Sequence, residues 1–219
     1  MPNDKPILFT TPMVQAILEG RKTMTRRVIK PQLEKDETWD GGYKYSHRGA
    51  TTALSMLCAG VYDRTSPYQP GDILWVRETW ARGRVSIGEE PDGRDSKPYI
   101  SQCIGDNDII PKEAALREGI CIDEVVWRPS IFMPKEACRI WLRVLAVRPE
   151  RLQEISEEDA IAEGIEAREP NHVVGARYRF GQLWNSINAA RGYGWDKNPW
   201  VWAIIFERCD KPAGWPGRS

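Results

Sequence analysis

Apolar residues first recur with helical spacing at Met13, Val14, Ala16, Ile17 and Leu18, behind Thr11 and Pro12, which suit an N-cap and a first helical position. The pattern predicts a helix from Thr11 to Leu18, stopped by Gly20. A short apolar run from Pro6 to Phe9 can open a sheet ahead of it, and the β-branched stretch from Thr23 to Ile29 predicts a strand ending at Pro31. After the turn Pro70-Gly71-Asp72, the segment Ile73 to Trp80 is the clearest strand of the chain. Period two places Leu74, Val76, Glu78 and Trp80 on one face and Ile73, Trp75, Arg77 and Thr79 on the other. Either face sets a charge among apolar groups, so one charge is expected to reach a cavity or to pair with its opposite. The plainer alternative is that Arg77 and Glu78 answer other surface charges.

Further along, Ala137 to Val147 alternates as a long strand, with Ile140, Leu142, Val144 and Ala146 sharing a face. Ser156 is an N-cap followed by first-turn acids, and that helix ends at Gly164. Tyr178 to Ile187 reads as an amphipathic helix with Phe180, Leu183, Trp184 and Ile187 on its apolar stripe. Trp200 to Arg208 is apolar on both faces and should be a central strand. Periodicity fades at about 31–70 and 81–126, which read as two large insertions. Trp39, Tyr43 and Tyr45 alternate in the first; the second offers a short helix from Pro111 to Glu118 and a mobile stretch from Gly88 to Lys97. The expected organisation is a single domain over 1–209, followed by a frayed, flexible tail over 210–219.

Composition narrows the chemistry. The 219 residues are 41% apolar, enough for one substantial core, and the formal net charge is zero, so any nucleic-acid contact must be local. Ten tryptophans exceed ordinary usage; most should anchor the core, and exposed ones could stack on bases. Cys58, Cys103, Cys121, Cys138 and Cys209 contain no CxxC and suggest free thiols, while two distant histidines, His47 and His172, argue against a histidine metal site or an acyl-transfer triad. Metal-free chemistry with no cofactor is therefore expected. No apolar run approaches the roughly 18 residues of a membrane span, and the protein is expected to be cytoplasmic, with no membrane partner.

The densest polar chemistry is Gly20-Arg21-Lys22-Thr23-Met24-Thr25-Arg26-Arg27, at the junction from helix to strand. Lys22 and Thr25 share a face if the backbone still turns there, but face opposite ways in a regular strand. A lysine crowded by Arg21, Arg26 and Arg27 and partly desolvated has its charged form disfavoured, and in its neutral form it could activate the Thr25 hydroxyl as a nucleophile. A solvated basic junction that binds phosphate without chemistry is the alternative. Glu163 lies in the last turn of its helix, where the dipole disfavours a carboxylate, and an ion pair with Lys22 would compensate.

The octet GRKTMTRR resembles the signature turn of the ASCH domains, a PUA-like family often described by GxKxxExR, with Thr25 where that pattern has Glu. Its GRKT-x-T form is similar to that of the small bacterial N4-acetylcytidine amidohydrolases. PGDILWVRETWA, WRPSIFMP, ISEEDAIAEGI and GYGWDKNPWVW resemble segments of larger phage and prophage members. The resemblance implies an α+β fold, a small mixed β-barrel with flanking helices. It also implies a hydrolase-like pocket for a modified nucleoside or nucleotide, with Lys22 as base, Thr25 as nucleophile and Glu163 orienting the lysine. Arg27 and Arg77 would hold phosphate, sugar or base edges, and Trp75 or Trp80 would offer a stacking face. The alternatives are a non-catalytic RNA-binding module, a ribonuclease such as other members provide, and the phage structural role that some relatives carry. This chain is about twice the length of the small amidohydrolases, and its two insertions could cover the pocket, create a larger binding groove or change the substrate.

Overall fold

A computed structural model describes residues 4–47, 50–58, 66–82, 109–117, 126–166 and 175–215. In chain order, β1 (Asp4–Leu8) and α1 (Thr11–Leu18) lead to β2 (Met24–Val28), then to β3 (Glu34–Lys35), β4 (Tyr43–His47), β5 (Ala50–Ala53) and the short α2 (Leu54–Cys58). They are followed by β6 (Ile73–Arg77), β7 (Trp80–Arg82), β8 (Ile109–Pro111) and α3 (Lys112–Arg117). The chain continues with β9 (Trp141–Arg151), α4 (Glu157–Ala162), α5 (Ala176–Asn188) and β10 (Trp200–Cys209).

The architecture is mixed α+β. A five-stranded sheet has the order β1-β6-β9-β10-β2, a three-stranded sheet the order β3-β4-β5, and β7 pairs with β8. The described residues form no closed barrel, so the expected barrel gives way to an open sheet with β1 and β2 at its edges. β10 lies inside this sheet, as its two apolar faces require, and pairs antiparallel with β2 so that Thr25 faces Ile204 and Arg27 faces Trp202. The first insertion carries the small sheet, with Tyr45 buried. In the second, β8 and α3 are formed, while Gly88 to Lys97 lies outside the described residues.

The chain divides into two compact units. Unit 1 comprises Met1–Lys5, Ala16–Ile73 and Leu142–Cys209; unit 2 comprises Pro6–Gln15, Leu74–Trp141 and Asp210–Ser219. In unit 1, Leu152, Ile155, Ala160, Ala176, Phe180, Trp184 and Val201 form a buried cluster between α4, α5 and β10. In unit 2, Trp75, Cys138 and Trp215 pack with Trp141, and Trp80 packs with Met133 and Ala137. Trp215 belongs to the stretch read as a frayed tail, yet its ring is buried and meets Trp141 edge-on at 5.7 Å. Burying the indole removes apolar surface from water, which offsets part of the entropy of ordering the tail residues.

Candidate functional site

Two helix ends build the site in unit 1. At the end of α1, Gly20 adopts φ +77° while its N–H bonds Ile17 O and the Arg21 N–H bonds Ala16 O. At the end of α4, Gly164 adopts φ +94°, with its N–H on Ile161 O and the Ile165 N–H on Ala160 O. Both are Schellman endings, which require a left-handed residue that glycine supplies without penalty. The two ends touch: a Cβ added to Gly164 would stand 3.0 Å from Ala16 Cβ and 3.2 Å from Lys22 Cβ. Lys22 and Glu163 form an isolated antiparallel bridge, reinforced by the Thr23 N–H bond to Ala162 O at 2.9 Å.

That bridge delivers the Lys22 ammonium to the C-terminal end of α4, where the helix dipole favours a cation. Lys22 is 2% exposed, and its Nζ donates to Met24 O, Glu163 O and Glu163 Oε2, each at 2.8 Å. The expected Lys22–Glu163 ion pair is present, and it places the carboxylate that the end of α4 would otherwise disfavour against a cation. Burial pushes the Lys22 ammonium below its ordinary value; Glu163 opposes the fall, and the charges of Arg27 and Arg26 add to it.

The ion network extends beyond the sequence reading. Arg26 is fully buried, donating from Nε to Glu150 Oε1 at 2.6 Å, from Nη2 to Asp159 Oδ2 at 2.6 Å and from Nη1 to Glu163 Oε1 at 3.3 Å. Arg148 closes it through Glu150 Oε2 at 3.0 Å and Asp159 Oδ2 at 3.2 Å. Burial alone would lower Arg26, but Glu150, Glu163 and Asp159 outweigh that and hold it above its ordinary value. Lys22, Arg26 and Arg148 thus meet Glu150, Asp159 and Glu163, three charges against three. The alternation of Arg148 and Glu150 along β9 was the available signal, but the expected strand stopped at Val147. Asp159 reads as helix-start electrostatics until Arg26 is seen beneath it.

Thr25 is buried on β2, where strand alternation directs it and Arg27 away from the face that Met24 and Arg26 occupy. Lys22 precedes the strand, so the choice between a turning and a strictly extended junction resolves as a bridge residue followed by a strand. Arg27 is half-buried; burial lowers it, offset in part by Tyr68 and Glu163. Burial also raises the Tyr68 hydroxyl, which Arg27 pulls back down.

The remaining sequence candidates belong to unit 2. Trp75 and Trp80 are buried in its two aromatic clusters. Arg77 lies 5.0 Å from the centre of the Trp75 ring and donates from Nε and Nη2 to Met133 O. Of the two charges at the end of the ILWVRE strand, Glu78 takes the ion pair: Arg139 donates to its two oxygens at 2.8 and 2.9 Å and to Glu113 Oε2 at 2.7 Å. Among the described residues, no group of three or more His, Cys, Asp or Glu is arranged to hold a metal ion, and no helix is long and apolar enough to cross a membrane.

Fold and site together define a mixed α+β protein with a buried, charge-balanced lysine–arginine–carboxylate network at the edge strand of its main sheet. Comparison with protein-family models, with curated proteins and with solved structures finds no match.

Proposed function

We propose that unit 1 is a hydrolase of modified nucleosides or nucleotides, most concretely one that releases acetate from an N4-acetylcytidine-type substrate. The observation that carries this reading is the buried Lys22–Glu163 contact, in which a lysine pushed down by burial is fixed three residues from a buried threonine. Lys22 in its neutral form accepts the Thr25 hydroxyl proton as Thr25 Oγ1 adds to the acetyl carbonyl carbon. The C–N bond breaks as the lysine ammonium returns that proton to the leaving nitrogen. Water then attacks the threonine ester, giving one proton to Lys22; that proton passes to Thr25 Oγ1 as acetate departs. Glu163 is a positioning residue that holds the amine through its hydrogen bond, and Arg27 takes a phosphate or base edge. The ASCH, PUA-like reading of the fold is part of the same proposal, supported by the GRKTMTRR turn at the start of β2.

The test is a mass-spectrometric turnover assay with N4-acetylcytidine and its nucleotide, comparing wild type with Lys22→Ala and Thr25→Ala. Turnover lost in both variants supports the mechanism, and wild-type protein that releases no acetate sinks it. One observation favours a second reading, a non-catalytic binding module. Met24 O, Glu163 O and Glu163 Oε2 match the three N–H bonds of an ammonium, an arrangement suited to a lysine that stays charged. In that case nucleoside or RNA binding survives Thr25→Ala and falls steeply with salt.

A further inference from the structure

The Lys22 network sets three cations against three carboxylates, whereas the ion cluster of unit 2 does not balance. Glu78, just past the end of β6, is 1% exposed, and Glu113, in the first turn of α3, is 6% exposed. Arg139 bonds both: Nε donates to Glu78 Oε1 at 2.8 Å, and Nη2 donates to Glu78 Oε2 at 2.9 Å and to Glu113 Oε2 at 2.7 Å. A single guanidinium nitrogen therefore carries one oxygen from each of two buried carboxylates, and one positive charge answers two negative ones.

The neighbouring cations are directed to other partners. Arg77 donates to Met133 O, Lys112 lies 5.6 Å from the centre of the Trp127 ring, Arg128 lies 5.4 Å from that of Trp80, and Arg117 is at the exposed end of α3. The Cys138 thiol also faces Glu78; burial, with a smaller push from Glu78, raises it to about 11, so it stays neutral at physiological pH. Two ionised carboxylates this close in a dry site repel, and one proton between them removes both the repulsion and the excess charge. Burial raises Glu78 above its ordinary value against the pull of Arg139, and Glu113 adds to the rise. Little else fastens Glu113's own segment. β8 and α3 are three and six residues long, and they are held by the pairing of β8 with β7, by the Lys112 N–H bond to Thr79 O at 2.8 Å and by buried Ala115. Elements this short depend on tertiary contacts to stay formed.

We propose that Glu78 and Glu113 share one proton, and that this proton latches β8 and α3 onto unit 2 so that the segment opens locally as the pH rises. With the proton in place the cluster is neutral and α3 stays seated. When the proton leaves to solvent, the two carboxylates repel across Nη2; Arg139 keeps its two-oxygen contact with Glu78, and Glu113 swings out with its helix. The proton belongs to the pair and not to either residue. A proton held more tightly in the seated state than in the open one contributes stability that is full below the open-state value, about 4.5 for Glu78, and is lost as the pH rises through the seated one.

The experiment is hydrogen exchange read by peptide mass spectrometry over a pH series from about 4.5 to 8, corrected for the intrinsic pH dependence of exchange, on full-length wild type, Glu113→Gln and Glu78→Gln. In wild type, protection of peptides covering 109–117 should fall by up to about tenfold for each pH unit, the limit for a single proton, and then level off, while peptides from β9 keep theirs. Either glutamine supplies a neutral partner that still accepts from Arg139, so each variant should hold α3 with protection that does not change with pH. Circular dichroism verifies the fold of the variants, and the wild-type profile needs neither of them, so a variant that failed to fold would leave the test in place. Protection of 109–117 in wild type that is constant across the series overturns the proposal. So does a folded variant that keeps the wild-type pH dependence, or loss from β9 in parallel with 109–117, which would make the opening global. The readout involves no substrate, so its failure leaves the hydrolase reading standing and the reverse also holds.

Discussion

Replacing Arg26 with methionine tests whether the ion network is a balanced unit. The methionine fills most of the arginine's volume but removes the cation that touches Glu150, Asp159 and Glu163. Two cations, Lys22 and Arg148, are then left among three carboxylates, two of which are nearly as buried as the lysine. Removing one partner of a buried ion pair costs about 3–5 kcal/mol because the other charge is stranded. With a urea slope of about 2–3 kcal/mol per molar for a chain of this size, the unfolding midpoint should fall by about 1–2 M. Urea titration followed by tryptophan fluorescence reads it, since Trp184 shares a buried cluster with Phe180, whose ring centre lies 5.9 Å from the Arg26 guanidinium. Adding Glu150→Gln to the variant should restore about 1 kcal/mol or more, the scale of coupling expected between residues in contact. A loss below about 1 kcal/mol, or a deficit indifferent to the second substitution, would refute the reasoning.

Three other expectations follow from single contacts. Gly164→Ala should cost about 1–3 kcal/mol, because the residue is left-handed and its Cβ would press on Ala16 and Lys22; unchanged stability in urea would contradict the described junction. Burial raises Glu78 above its ordinary 4.5, against the bonds from Arg139 that lower it, and Glu113 adds to the rise. Such a group contributes stability that is full below its unfolded value and is lost as pH rises through the folded one. The urea midpoint of wild type should therefore decline relative to that of Glu78→Gln upward from about pH 4.5, and a constant gap between the two would rule this out. Cys138 is buried and pushed up to about 11, so iodoacetamide at pH 8 should spare it in the native protein and modify it in urea, as peptide mass spectrometry would show; equal rates would contradict its burial.

The elements legible in the sequence were those whose signals are local. α1 spans Thr11 to Leu18 and stops at Gly20, although the Val14 N–H bond to Thr10 O puts the cap position at Thr10 and not at Thr11, and the Ser156 side chain accepts from the Asp159 N–H at the start of α4. Lys22 and Glu163 could be paired before any coordinates because a carboxylate at a helix end requires a cation. Legibility failed where the determinant was long-range. β9 starts at Trp141 and runs on to Arg151, since Lys135–Ala137 is a 3-10 turn and the strand's far end is held by the site's own ion pairs. Trp80 opens β7 instead of ending β6, because its pairing partner lies inside the second insertion, at Pro111. Arg26 looked like one of four interchangeable cations, and only the fold shows that it bridges three carboxylates.

The bridge between Lys22 and Glu163 joins segments 141 residues apart, and among the described residues β2 has only β10 as a neighbour in the sheet. During synthesis, the first half of the site must therefore wait for nearly all the intervening chain to emerge, on the order of ten seconds or more at typical ribosomal rates. For that interval the GRKTMTRR segment carries its charges in water, without the carboxylates that later neutralise them. A fragment stopped before α4 would contain the lysine and the threonine but not the environment that lowers the lysine. Whatever chemistry the octet performs is thus withheld from the nascent chain and begins only when the last strand closes against the second.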